Sequence, residues 1–516
     1  MLNRRIAEDQ AVIVGAGISG LTAAIALASR GLAVTVLERA AQPGGKMRTV
    51  PIGASQIDSG PTVFTMRWVF EELFAAANRN FSDHVKLRPL DVLARHAWDD
   101  SGHLDLFADE ARSADAIGAF AGAAEAARFR QFCADARETY RRLERPFLRS
   151  AKPSLPGLII SSGWRGLLQL PKIRPFTTMW NALGDYFHDP RMRQLFGRYA
   201  TYCGSSPFSA PATLMLVAHV EQEGVWVIEG GMHQLATALA DCATALGVQI
   251  RYEQEVREVT IAGGRANGVT LSSGEHMAAS NVIVCADVTA LGSGLFGADA
   301  ARAAVPVQPN ERSLSALTWS LVARTSGFPL SRHNVFFSRD YAAEFDDIFN
   351  KGAVPDEPTV YVCAQDRADN EATLLRDDAE ELLVLINAPA VGDRYPFGPA
   401  QVERYAERAF AVLQRCGLTV THDPQRTVAT TPNDFHRMFP ATGGALYGRA
   451  SHGWTASFRR PGARTKIPGL YVAGGSTHPG PGVPMAALSG RSAAASLYDD
   501  LAETRGWKQA RDPATP

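Results

Sequence analysis

The stretch from Ala11 to Glu38 constrains this chain more than any other. Ala11 to Val14 is a short uninterrupted apolar run, as expected of a strand buried on both faces. Gly15-Ala16-Gly17-Ile18-Ser19-Gly20 follows at once, and Leu21 to Ser29 has the Ala- and Leu-rich composition of a helix. Ala33 to Leu37 returns as strand and ends in the acid Glu38. Strand, glycine turn, helix and second strand make a βαβ unit with a right-handed crossover, the opening of a doubly wound sheet. Each glycine answers a different steric demand: Gly15 makes the tight turn, Gly17 lets a pyrophosphate approach the backbone, and Gly20 lets helix and strand pack closely. A dinucleotide would lay its pyrophosphate on the free N–H groups of the helix N-terminus, with Ala16 and Ser19 lining the turn. Glu38 would accept hydrogen bonds from the adenosine ribose, and Arg39 would neighbour the pyrophosphate or adenine.

Spacing alone does not carry this reading. Gly292-Ser293-Gly294-Leu295-Phe296-Gly297 repeats it, yet Asp287 to Leu291 separates it from the strand at Val282 to Ala286, and no second strand ending in an acid follows. A loop is expected there. Arg4, Arg5 and an apolar stretch ending in Ala26-Leu27-Ala28-Ser29 imitate a secretory signal. Three glycines interrupt that stretch, and cleavage would orphan the strand at Ala33 to Leu37, so a cytoplasmic protein is expected. No segment runs long enough without charge to span a bilayer.

A chain of 516 residues exceeds one ordinary core, which predicts two interlocked domains. The net charge of -1 provides no overall field for nucleic acid, so that class of partner is not expected. Six scattered cysteines without a CxxC pair predict neither a disulfide framework nor a metal site. Further α/β material comes in two later pieces. In the first, Gly230-Gly231-Met232 introduces a helix over Leu235 to Leu246, followed by strands at Val248 to Tyr252, Val256 to Ile261, Ala266 to Leu271 and Val282 to Ala286. In the second, Leu470 to Ala473 is strand and Met485 to Tyr498 is helix. The chain therefore divides into a Rossmann-like cofactor domain of residues 1–100, 225–295 and 431–505, an interleaved α+β substrate domain of residues 101–224 and 296–430 facing a membrane, and a polar tail at 506–516.

After Glu38 come Gly44-Gly45-Lys46 and Asp58-Ser59-Gly60-Pro61, and far downstream Gly469-Leu470-Tyr471-Val472-Ala473-Gly474-Gly475-Ser476-Thr477-His478-Pro479-Gly480. These resemble the flavin family that includes amine oxidases and carotenoid desaturases. The resemblance implies FAD rather than NAD, with Gly44, Gly45, Lys46, Gly60 and Pro61 along the cofactor, and Gly474 and Gly475 bringing backbone to the ribityl chain. It places Val256 against adenine, and Val483 and Pro484 at a helix N-terminus facing the flavin ring. Many relatives carry an acid after the glycines of the late strand. Here Ser476-Thr477 stands instead, as in the carotenoid desaturase branch.

Gly60-Pro61-Thr62-Val63-Phe64-Thr65-Met66, Tyr202-Cys203-Gly204-Ser205-Ser206-Pro207, Thr431-Pro432-Asn433-Asp434-Phe435 and Gly443-Gly444-Ala445-Leu446-Tyr447-Gly448 extend the resemblance to bacterial phytoene desaturase-type enzymes. Met66 to Glu72, Ala212 to Met215 and Glu229 to His233 are most similar to the hydroxycarotenoid 3,4-desaturases. The implied reaction is desaturation of a 1-hydroxylated acyclic carotenoid, with oxygen or a quinone as final electron acceptor. His478, in the ring-facing motif, and Glu229 are the catalytic candidates, each with a structural or solvated alternative. Leu155 to Phe176 mixes Ile, Trp and Leu with Arg and Lys, as a peripheral, interfacial membrane anchor does, and the resemblance implies that the membrane is the inner, photosynthetic one. Rival expectations are a phytoene desaturase or carotenoid isomerase of the same family, a flavin amine or porphyrinogen oxidase, and a prenyl-lipid escort protein without turnover.

Overall fold

A computed structural model describes residues 10–99, 102–152, 176–368, 371–372, 379–421 and 423–504. Its first layer is built from β1 (Gln10–Val14), α1 (Ile18–Ala28), β2 (Ala33–Leu37), α2 (His233–Ala245), β3 (Gln249–Arg251), β4 (Asn281–Val284), β5 (Leu470–Val472) and α3 (Val483–Thr504). The strands form one five-stranded sheet in the order β5-β4-β1-β2-β3, every pairing parallel. Ala11, Val12, Ile13 and Val14 are all buried, which explains the unbroken apolar run of β1. Helix α1 is apolar around most of its circumference because α2 and α3 pack against it. The antiparallel strands Val256–Ala262, Arg265–Leu271 and His276–Ala278 form a separate small sheet. Gly292 closes a short helix, Val288–Gly292, and the rest of the second glycine repeat is turn, as expected.

An eight-stranded mixed sheet forms the second layer. Its central strands, Ser315–Gly327, Glu380–Ala388, Val360–Ala364 and His333–Phe336, pair antiparallel in that order. Val92–Ala97 lies inside the segment 1–100 that the sequence gives to the cofactor domain, yet it pairs in parallel with His333–Phe336 in this sheet. The strand is buried along its whole length and also pairs antiparallel with His103–Phe107, so its backbone groups are satisfied within this sheet.

The sheet separates two environments by its period of two. Along Glu380–Ala388, Leu382, Val384 and Ile386 join a core with Ala409, Val412 and Leu413 of the helix Pro399–Arg415. Leu383, Leu385 and Asn387 face the opposite side and line a cavity. Helices Ala123–Leu143, Met179–Tyr186 and Pro190–Gly197 close that side around Phe129, Phe132, Phe187 and Phe196. Among the described residues, no helix is long and apolar enough to cross a membrane.

Candidate active site

The glycine turn has the shape its sequence demands. Gly15 sits at φ +104, a conformation that favours glycine, and donates its N–H to the Leu37 carbonyl at 2.7 Å. A Cβ on Gly20 would stand 2.0 Å from the Gly15 carbonyl oxygen, so only glycine lets α1 leave β1 this tightly. Gly17 is different: nothing lies within 4 Å of its added Cβ. No side chain caps α1 at Gly17, so its first N–H groups open onto this space, as a pyrophosphate requires. Glu38 fixes the turn from the other strand. Its carboxylate accepts the Ala16 N–H at 2.7 Å and the Ala40 N–H at 2.8 Å, and the remaining lone pairs suit ribose hydroxyls.

Two cavities lie in the molecule near the predicted cofactor residues. One, of about 810 Å³, is lined by Glu38, Arg39, Gly45, Gln254 and Ser272. Its rim places the Glu38 carboxylate and the exposed Arg39 where the adenosine end of a dinucleotide would lie. The other, of about 1030 Å³, is an apolar chamber between the two layers. Gly60, Pro61, Val483 and Pro484 line it together with Leu214, Val217, Leu383 and Leu385. The helix that starts at Val483 therefore opens on the chamber.

The sequence comparison matches the model of the flavin containing amine oxidoreductase family over residues 18–497. This chain belongs to that family. It is 54% identical to the hydroxyneurosporene desaturase of Rubrivivax gelatinosus over 96% of this chain and 94% of the relative, and 44% identical to that of Cereibacter sphaeroides over 95% and 98%. A putrescine oxidase with bound putrescine shares the fold, with a TM-score of 0.56 at 16% identity over 95% of this chain and 99% of that one. The structure is thus an α/β flavin oxidoreductase fold of the amine oxidase type, and FAD is the cofactor that the family implies. The open Gly17, the anionic Glu38 and the uncapped helix fit that cofactor.

The other residues predicted for the flavin oxidoreductase site have the following surroundings. Gly44 donates its N–H to the Ala16 carbonyl at 2.9 Å, and a Cβ on Gly45 would stand 3.4 Å from the Gly17 Cα, so the second glycine pair lies against the first. Gly474, at φ +137, has Ser19 Oγ 3.7 Å from its added Cβ. Arg460 donates to the Gly475 carbonyl at 2.9 Å. Lys46 turns instead to the Leu446 carbonyl and lies over the Phe439 ring at 5.2 Å. Val256 is buried in its hairpin, next to Glu255 of the adenosine-side cavity.

Neither catalytic candidate lines the chamber. Pro479 and Gly480 do, but the His478 ring donates from Nε2 to the Phe147 carbonyl at 2.8 Å and meets the Phe147 ring edge-on at 4.9 Å. Burial pushes its pKa down to about 4, so the imidazole is neutral near pH 7. Glu229 is exposed at the end of the strand Trp226–Ile228, its backbone N–H on the Lys86 carbonyl at 3.1 Å. That position matches the solvated strand-end carboxylate that the sequence also allows. Leu155 to Pro175 of the predicted anchor lie outside the described residues. Phe176, at its end, is 77% exposed and packs on Trp454 with ring centroids 5.2 Å apart, and both line the chamber.

Sequence reasoning missed Arg460. It is buried, lines the chamber, and holds the Tyr447, Arg449 and Gly475 carbonyls. Burial pushes its guanidinium down to about 10. It also missed Asp58 as a cap, which accepts the Met232 and His233 N–H groups at the start of α2 at 2.6 and 3.2 Å. The Asp58-Ser59-Gly60-Pro61 run was visible, but its partner lay far downstream.

Proposed function

We propose that this flavin oxidoreductase is a carotenoid desaturase that introduces the C3–C4 double bond into a 1-hydroxylated acyclic carotenoid. The observation that carries this reading is the apolar chamber itself, whose Leu and Val walls meet Gly60, Pro61, Val483 and Pro484. The proposal extends to this chain the activity named for the hydroxyneurosporene desaturases of Rubrivivax gelatinosus and Cereibacter sphaeroides.

FAD, when bound, supplies the two-electron acceptor for a hydride leaving an allylic carbon. The positive charge left on the substrate spreads over the polyene, and a proton then leaves the neighbouring carbon. Delocalisation lightens the demand for a strong base, so the chain's own task is orientation and exclusion of water. Leu383, Leu385, Leu214 and Val217, together with Pro61 and Pro484, provide the dry lining. Glu221 is the sole carboxylate among the described residues lining the chamber, and Arg198 pairs with it at 3.5 Å.

Carotenoids reside in lipid, so transfer into a second apolar site brings little of the usual ~0.8 kcal/mol per buried CH2. Lateral entry from a docked position answers this, and the exposed Phe176 and Trp454 at the chamber support such docking. Incubating the purified holoenzyme with a 1-hydroxylated acyclic carotenoid should yield a product with one more conjugated double bond, absorbing at longer wavelength. Recovery of unchanged carotenoid under conditions that reoxidise the cofactor would overturn the reading.

A further inference from the structure

One corner of the apolar chamber holds a cluster of polar side chains, and the desaturation itself makes no use of it. Thr62 Oγ1 lies 2.7 Å from the Tyr361 hydroxyl, which lies 2.7 Å from Nδ1 of His333. In the same corner Arg198 Nη1 donates to the Tyr202 hydroxyl at 2.9 Å, and that hydroxyl lies 3.4 Å from Glu221 Oε1. Thr62, Tyr361, Arg198, Tyr202 and Glu221 all line the chamber. Buried polar groups are costly unless hydrogen-bonded, and these partner one another while still facing the chamber.

The corner is electrically balanced. Glu221 offsets Arg198, and burial, reinforced by Arg332 and Arg198, keeps the His333 imidazole neutral. Neither a carboxylate nor an ammonium group would find an uncompensated partner there. Hydrogen-bonding capacity nevertheless remains. Arg198 Nε, on the chamber lining, has no hydrogen-bond partner among the described residues, and its side chain is more than nine-tenths buried. The Thr62 and Tyr361 hydroxyls, bonded to one another, each keep a further lone pair. A neutral group that both donates and accepts matches this set, and an alcohol is the simplest one.

Its position matters as much as its chemistry. Thr62 directly follows Gly60-Pro61, which share the chamber wall with Val483 and Pro484. A hydroxyl bound beside Thr62 would hold the adjoining carbons near that wall. In a 1-hydroxylated chain the carbons nearest the hydroxyl include C3 and C4.

We infer that Thr62, Tyr361 and Tyr202, backed by His333, Arg198 and Glu221, form the subsite for the substrate's tertiary hydroxyl, selecting hydroxylated polyenes and setting which carbon pair reacts. The inference rests on the proposed function and names the specificity element of that same site.

The test compares wild-type holoenzyme with Tyr361→Phe and Thr62→Val, measuring kcat/KM for a 1-hydroxylated acyclic carotenoid and for its unhydroxylated counterpart. The wild type should prefer the hydroxylated substrate. Each variant should lower that preference about tenfold or more, mainly through a higher KM for the hydroxylated substrate, because one buried hydrogen bond is lost. Flavin absorbance reports folding, and if Tyr361→Phe loses its flavin, the shape-conserving Thr62→Val decides. A wild-type preference that survives in the variants, or an equal fall on both substrates, would overturn the subsite. Failure of the wild type to turn over the hydroxylated substrate would instead overturn the proposed function.

Discussion

Gly490 of α3 presses on Ser19 of α1, so closely that a Cβ on Gly490 would stand 2.2 Å from the Ser19 carbonyl oxygen. This contact locks the helix that opens on the chamber to the helix that opens on the glycine turn. Gly490→Ala must part the two helices, because the obstacle is backbone rather than a movable side chain. We expect a loss of about 1–3 kcal/mol of stability together with reduced flavin content. Thermal unfolding and flavin absorbance check this, and a variant with wild-type values for both would contradict the contact's importance.

Glu38 accepts two backbone N–H groups across the turn, from Ala16 and Ala40. Glu38→Gln keeps the length but loses the charge, and its amide presents a donor where an acceptor is needed. Bonds to charged groups contribute about 1.5–3 kcal/mol, so FAD affinity should fall by roughly one to two orders of magnitude. Titration of the apoprotein with FAD measures this, and equal affinity for wild type and variant would remove Glu38 from the cradle.

His478 gives a pH signature. Its pKa is pushed down to about 4 by burial, below the ordinary value of 6.5. Between those values the unfolded chain binds the proton and the folded protein does not, so stability falls as pH drops through that window. Relative to His478→Gln, the wild type should lose up to about 2 kcal/mol between pH 7.5 and pH 5. Denaturant unfolding at the two pH values tests the slope. Activity tests the role: His478→Gln that keeps its flavin should show an unchanged pH profile of kcat, whereas loss of a limb near neutrality would restore a catalytic imidazole.

Phe176 and Trp454 present a paired aromatic surface beside the chamber. Replacing both by Ser should move the protein from the vesicle fraction to the soluble fraction in flotation with anionic liposomes, and should slow turnover of liposome-borne carotenoid more than that of detergent-solubilised carotenoid. Equal flotation of variant and wild type would remove these rings from the docking surface.

The βαβ opening was legible because its information is local: β1, α1 and β2 follow from a few consecutive residues each. Helix α1 begins at Ile18 rather than Leu21, since Ser19 and Gly20 are poor helix formers held helical by α3 and by the tight turn. Val92–Ala97 carries no such local signal for the sheet it joins, because one of its two partners, His333–Phe336, lies far along the chain. The polar corner was invisible in sequence. Thr62, Arg198, Tyr202, Glu221, His333 and Tyr361 are isolated polar residues in separate segments, and only tertiary packing of a loop, two helical segments and the mixed sheet gathers them. His478 shows the converse: it lies in a flavin motif, but the fold gives its ring to Phe147.

The central claim is that the cofactor cradle and the apolar chamber act together on a hydroxylated polyene. Anaerobic mixing of the purified holoenzyme with a 1-hydroxylated acyclic carotenoid, followed by the flavin absorbance, tests it most directly. The account predicts bleaching by the hydroxylated carotenoid and little or none by the unhydroxylated one or by a primary amine. Bleaching by the amine with no response to the hydroxylated carotenoid would contradict it.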